Sequence, residues 1–253
     1  MTIKFLGTGT SQGVPVIACD CEVCRSLDRR DKRLRSSVLI QLADKHIVID
    51  TGPDFRYQML REDVRHLDAI LITHAHKDHI AGLDDVRAFN RQQGAIDIYG
   101  TQAVHEALKR EFYYAFAAQK YPGVPQLALH EISLTPFSLV GIETTPIEVM
   151  HYRMPVLGFR LGGFTYITDA KTVDDEQIEK IIGTDILVVN ALQRAPHISH
   201  FTLDEAVAFA KRVGAAQTYF THISHNLGRH EEVEKLLPSG VSLAYDGLVL
   251  HTK

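Results

Sequence analysis

One stretch constrains this chain more than any other: the apolar strand Leu67–Thr73 runs directly into His74-Ala75-His76-Lys77-Asp78-His79. In extended chain, side chains two apart project to the same side, so His74 and His76 present their imidazoles together. Asp78 and His79 lie where the chain turns into the next helical segment, within reach of a second ion. Four ligand-type side chains in six residues would repel or titrate awkwardly without a cation among them. A polar surface loop with unrelated histidines is the plain alternative; the spacing behind an apolar strand favours a metal site.

Around this stretch, strands and helices alternate. Strands are predicted at Ile3–Leu6, Ser37–Leu42, His46–Asp50, Ile96–Tyr99, Ala128–Leu134, Ile142–Met150, Val156–Leu161, Phe164–Thr168, Asp185–Asn190 and Thr218–Phe220. Helices are predicted near Phe55–Arg61, Ile80–Arg91, Thr101–Arg110, Asp174–Ile182, Thr202–Val213 and Glu231–Leu236. No linker, low-complexity tract or repeat interrupts them, so residues 1–253 read as one α/β domain. A four-layer αββα sandwich accommodates the order. With 253 residues, 45% hydrophobic, the chain can bury a sizeable core. No apolar run approaches the roughly 18–20 residues of a membrane span. The N-terminus MTIKFLGTGTSQG lacks the apolar segment of a secretory signal, so a cytoplasmic location is expected. A net charge of −4 gives no global field to draw a polyanion, so nucleic acid is not an expected partner.

Three more ligand-type residues each follow a β-like run: His151 after IETTPIEVM, Asp169 after FTYIT, and His222 after TYF. Together with HxHxDH, this set resembles the metallo-β-lactamase superfamily, whose fold is an αββα sandwich with a one- or two-metal site between the sheets. The resemblance implies that His74, His76 and His151 hold one divalent ion. It implies that Asp78, His79 and His222 hold another, with Asp169 bridging. This nitrogen and oxygen set suits Zn²⁺, Mn²⁺ or Fe²⁺. Asp50, at the end of HIVID, reads either as a group orienting a ligand histidine or as a buried structural carboxylate.

Cys19-Asp20-Cys21-Glu22-Val23-Cys24 places three thiols where they can meet one tetrahedral ion, with His225 as the candidate fourth ligand. Reduced, buried thiols are the alternative; an odd, crowded set of three is a poor disulfide framework. A Cys₃His zinc here resembles a narrower group, the phosphodiesterases of bacterial phosphonate breakdown that open a phosphoribosyl cyclic phosphate. Thr202 and Glu205 form a T-x-x-E capping box, which sets His200 beside a helix N-terminus, a location that favours phosphate oxygens. The resemblance implies that His200 protonates the leaving oxygen, with Asp78 the other catalytic residue. His197 reads as an ordinary neighbour. The glycine-rich loop Gly7–Gly13 has the wrong spacing for a dinucleotide fingerprint and leads into the cysteines instead of a helix, so no nucleotide cofactor is expected. Phe112, Tyr113, Tyr114, Phe116 and Tyr121 could form a substrate lid, a subunit contact or core.

The leading expectation is a metal-dependent phosphodiesterase for a small ester, with a cyclic ribose phosphate the first candidate. It would carry two active-site ions, zinc or manganese, and one structural zinc. The resemblance also implies a homodimer. A tRNA 3′-processing endonuclease shares HxHxDH, but the net charge and the lack of a long glycine/proline arm speak against it. Thioester hydrolases and oxygen-reducing di-iron relatives fit less well. A non-catalytic binding protein of coenzyme biosynthesis is the reading from another class, and the full set of seven ligand-type residues argues for catalysis.

Overall fold

The β-branched and aromatic runs build two sheets in the computed structural model, which describes residues 1–252. The first contains β1 (Thr2–Gly7), β2 (Ser37–Leu42), β3 (Lys45–Ile49), β4 (Ala69–Leu71), β5 (Ile96–Gly100) and β6 (Leu127–Glu131). The second contains β7 (Phe137–Leu139), β8 (Ile142–His151), β9 (Met154–Leu161), β10 (Phe164–Tyr166), β11 (Ile186–Asn190), β12 (Gln217–Thr221) and β13 (Val241–Leu243). β14 (Val249–His251) returns to the first sheet beside β1. The strand orders are β14-β1-β2-β3-β4-β5-β6 and β13-β12-β11-β10-β9-β8-β7. Strands β3 to β6 run parallel, as do β10 to β13, while the remaining neighbours pair antiparallel.

Period-two alternation sorts the side chains into three apolar layers. Ile47, Ile49 and Leu71 of the first sheet meet Phe159, Phe164, Tyr166 and Val188 of the second in the middle. Val48 and Ile70 point the other way, onto Phe55, Met59, Leu83 and Leu108 of the first sheet's helices. Leu187 and Val189 likewise face Leu203, Ala206 and Phe209 of helix Leu203–Val213. The four-layer αββα sandwich follows from this sorting: each sheet buries one face on its partner and the other under helices. No helix among the described residues is long and apolar enough to cross a membrane.

One helix differs most from the sequence expectation. Ile80–Arg91 is not one helix: Lys77–Ile80 forms a single turn, Leu83–Val86 a 3₁₀ segment, and Arg87–Gln93 a separate helix. The break is at Gly82, where a Cβ would penetrate the Gly52 carbonyl oxygen. In its place Gly82 N–H donates to Thr51 O at 2.9 Å, and Thr51 N–H donates to His79 O at 2.7 Å. The backbones after Asp50 and around His79 are thereby stitched together. In the aromatic segment the core reading holds for Phe112, Tyr114 and Phe116: Phe112 is buried, Tyr114 and Phe116 pack against the same cluster, and Tyr114 donates to Asp84 at 2.6 Å. Tyr113 and Tyr121 remain exposed.

Candidate metal-dependent active site

Open α/β sheets place ligands beyond the carboxyl ends of parallel strands, and the predicted residues collect there. Asp50 follows β3, His74 to His79 follow β4, Asp169 follows β10, His222 follows β12, and His151 ends β8. Asp50, Asp169 and His222 have φ of 63°, 57° and 55°. That region costs a non-glycine residue on the order of 1–3 kcal/mol and collects at functional sites. The backbone turns sharply at all three, which sends Asp169 and His222 into the cluster and Asp50 behind His79.

Asp78, His79, Asp169 and His222 bring their ligand atoms within 4.8 Å of one another. His79 Nε2 is 3.1 Å from Asp78 Oδ2 and 3.3 Å from Asp169 Oδ2, and His222 Nε2 is 3.3 Å from Asp169 Oδ1. The rings of His74, His76 and His151 adjoin this group, with centroids 4.6 Å apart for His74–His76 and 5.2 Å for His76–His151. His200 also enters the cluster, its Nε2 2.9 Å from Asp169 Oδ1.

Hydrogen bonds to the far ring nitrogens fix which atom each histidine turns inward. His79 Nδ1 donates to Asp50 Oδ2 at 2.6 Å. Asp50 also accepts from the Thr73 amide at 2.9 Å and from Thr73 Oγ1 at 2.8 Å. With its proton so committed, Thr73 Oγ1 accepts from His74 Nδ1 at 3.0 Å. His151 Nδ1 donates to the Asp169 and Ser199 carbonyls at 3.1 and 3.0 Å. With each ring neutral, as a ligand must be, Nε2 is left as the lone-pair atom in all three, the arrangement that orients metal-binding imidazoles. Asp50 is therefore the organiser of two histidines, and the alternative of a carboxylate serving structure alone falls away.

The chemistry of the cluster fits divalent cations. His74 Nε2 and His79 Nε2 are buried without a hydrogen-bond partner. Among the described residues no lysine or arginine pairs with Asp78 or Asp169. Burial drives His74 well below the usual imidazole range and His222 down to about 4, so both are neutral and ligand-competent. Burial opposes charge on Asp169, but His222, His79 and the His200 hydrogen bond outweigh it and hold the carboxyl well below its ordinary value. Burial also favours neutral His79, yet Asp50, Asp169 and Asp78 prevail and raise it. A proton there balances the negative charge that a cation would balance.

The cysteines form a second candidate centre. His225 Nδ1 lies 3.3, 3.4 and 3.6 Å from the Sγ atoms of Cys19, Cys21 and Cys24. Zn–S of about 2.3 Å and Zn–N of about 2.0–2.1 Å at the tetrahedral angle require an S···N edge of about 3.5 Å, so the four atoms suit one zinc ion. The Cys24 amide, donating to its sulfur, lowers the Cys21 thiol to about 6, while burial raises Cys24 to about 11. The clamp adjoins the first centre through the loop around Thr10, whose Oγ1 is 3.2 Å from His222 Nε2.

The capping box is present at Thr202 and Glu205. His197 was read as an ordinary neighbour, but its Nδ1 lies 3.2 Å from His200 Nδ1, and Ser199 Oγ lies 3.1 Å from the same atom. Its spacing to His200 was the one signal in the sequence. His230 is buried and accepts from Arg33 Nη2 at 3.1 Å.

Comparison with known proteins agrees with this geometry. A family model described as a β-lactamase superfamily domain matches residues 45–223. A crystal structure of a diphosphatase from the PhnP family is 43% identical, with a TM-score of 0.93, covering 100% of this chain and 98% of that one. Zn²⁺-bound PqqB from Methylobacterium extorquens shares the fold at 19% identity, with a TM-score of 0.82 and 100% of both chains covered. Among curated proteins, an octanoyltransferase of Porphyromonas gingivalis (strain ATCC BAA-308 / W83) is 40% identical over 98% of this chain. The present chain spans about half of that relative's length (51%).

Proposed function

The chain belongs to the β-lactamase superfamily, as a hydrolase close to the PhnP family, and on that premise we propose that it is a metal-dependent phosphodiesterase acting on a small ribose-containing ester or diphosphate, a cyclic ribose phosphate among them. His74, His76 and His151 would hold one ion; Asp78, His79 and His222 would hold the other, with Asp169 between them. Cys19, Cys21, Cys24 and His225 would hold a structural zinc. Two divalent cations, when bound, supply Lewis acidity toward the phosphoryl oxygens and lower the pKa of water.

The observation that carries the reading is His200: an imidazole beyond the seven ligand-type residues, held 2.9 Å from Asp169 at the mouth of a capped helix, although its ligand atom also lies within 4.8 Å of those of His151 and Asp169. Water's oxygen bonds to phosphorus, the bond from phosphorus to the ester oxygen breaks, and the departing oxygen takes the proton of His200 Nε2. Asp78 is held ionised: burial opposes its charge, but His79 and His222 outweigh it. As an ionised carboxylate at the cluster, Asp78 would orient the attacking water and take its proton, the cations when bound making that water acidic enough to give it up. The partial positive charge at the N-terminus of helix Leu203–Val213 adds attraction for the anionic ester. The PhnP-family diphosphatase supports phosphate esters over thioesters.

The test is an assay of the Mn²⁺- and Zn²⁺-loaded protein against five substrates. They are bis(p-nitrophenyl) phosphate, a ribose cyclic phosphate, ADP-ribose, precursor tRNA and a glutathione thioester. Turnover of the small phosphate esters is expected; turnover of the thioester or the tRNA alone would overturn the reading.

A further inference from the structure

A cleft of about 450 Å³ opens beside the metal cluster, with His76 and His151 on one side and Tyr152, Arg153, Met154, Ile198 and Ser199 around the rest. It is shallow, open to solvent and lined mostly by apolar surface. Apart from Ser199, whose carbonyl orients His151, none of the five non-histidine residues has a part in the metal chemistry described above.

Their arrangement is selective. His151 pairs with Met154, so Tyr152 and Arg153 are the whole turn between β8 and β9. Tyr152 has φ 56°, a conformation that glycine or asparagine adopts more readily. Asp50, Asp169 and His222 share that conformation, and each turns a polar group into the cluster or behind one of its histidines. Tyr152 instead is a half-exposed residue that lines the cleft. Ile198, 66% exposed, is a second apolar wall. The Arg153 guanidinium carbon lies 5.0 Å from the Tyr152 ring centroid, and among the described residues no carboxylate pairs with it. An aromatic ring, an aliphatic side chain and a cation held over that ring by no ion pair thus stand beside His76 and His151.

We infer that this cleft is the subsite for the part of the substrate that does not react, and that this part is a nucleotide: a base stacked on Tyr152 against Ile198, and a phosphate paired with Arg153. The inference rests on the phosphodiesterase reading for the position of the reacting phosphorus. A flat ring gains from the Tyr152 face whatever its hydrogen-bonding edge, so the subsite would tolerate different bases. The guanidinium would give the second phosphate a bidentate partner that a ribose alone lacks.

Equilibrium binding to the metal-loaded protein tests this with three probes: AMP, adenosine and ribose 5-phosphate. AMP should bind at least about 10-fold tighter than either fragment. Tyr152→Ala should weaken AMP and adenosine about 10-fold and spare ribose 5-phosphate, whereas Tyr152→Phe should restore AMP binding. Arg153→Ala should weaken AMP and ribose 5-phosphate and spare adenosine. In turnover, the preference of kcat/KM for thymidine 5′-(p-nitrophenyl phosphate) over methyl p-nitrophenyl phosphate should fall about 10-fold in Tyr152→Ala. AMP binding no tighter than ribose 5-phosphate, or a Tyr152→Ala effect equal on all three probes, would remove the subsite. Failure to hydrolyse any diester while the binding pattern holds would instead remove the phosphodiesterase reading.

Discussion

At the scale of single residues, the site depends on groups that hold other groups. Asp50 touches no reacting atom, yet it accepts three hydrogen bonds and through them turns His79 and, by way of Thr73, His74. Asp50→Ala should lower active-site metal affinity about 10–100-fold, read by metal analysis after graded chelation, while the Cys19–Cys24 centre keeps its ion. His200 tests the chemistry itself. His200→Ala should cost about 10²–10⁴-fold on an alkyl diester, whose leaving oxygen needs a proton, and much less on a p-nitrophenyl diester. Equal losses on the two would reassign His200 to phosphate binding. His74 to His79 and the cysteines were legible from sequence because each set is local, a few residues with one evident spacing. The bonds of Asp50 were legible only as a possibility, since they join positions 23 to 29 residues apart. His197 lies three residues from His200, but nothing in that spacing distinguishes a partner from a bystander.

At the scale of elements, period-two apolar runs located most strands but not their ends: Leu67–Thr73 shortens to Ala69–Leu71, Ala128–Leu134 to Leu127–Glu131 and Phe164–Thr168 to Phe164–Tyr166, and Phe137–Leu139 was not expected. Asp169 and His222 stood out on that pattern, although their place in the metal set came from resemblance. The helix expected over Ile80–Arg91 failed for a physical reason. Its apolar periodicity is real, as Ile80, Leu83, Val86 and Phe89 are all buried in one layer. Helical hydrogen bonding gives way at Gly82, however, because the Thr51–Gly52 backbone approaches it closely. Such a contact cannot be read from either segment alone. Gly82→Ala should therefore do more than an ordinary glycine replacement in a helix, which usually stabilises. The new methyl forces apart the segments that carry Asp50 and His79. A destabilisation of about 1–3 kcal/mol by denaturant titration and weaker active-site metal retention are expected. A rise in stability would show that the stitch is dispensable.

For the whole molecule, pH and metal act through different parts of the fold. His230 is buried against Arg33, and burial with the nearby guanidinium groups lowers it to about 4. The unfolded chain takes up this proton as pH falls through about 6.5, whereas the folded chain resists until about 4. The stability His230 contributes is thus fully present above pH 6.5 and is lost as pH falls toward 4. Asp246, raised to about 6 by burial, has the opposite sign: its folded form gains relative stability as pH falls from 6 toward its ordinary value. Tm measured from pH 7 to 4.5 should fall less steeply in His230→Gln than in the natural chain, and identical slopes would refute the assignment. Cys21→Ser should remove one zinc per chain and lower Tm, with the surviving folded protein still active; unchanged zinc and Tm would mean that the clamp holds no metal. The four clamp residues have one more property. Cys19 and His225 lie 206 positions apart, so an ion between them closes most of the polypeptide into a ring. For a ring, the location of a single break in the backbone matters little, because both resulting pieces keep an attachment at the clamp. A cut in an exposed segment such as the one around Gly123 would leave one piece carrying the three cysteines and the other carrying His225, joined by zinc where the peptide bond no longer joins them.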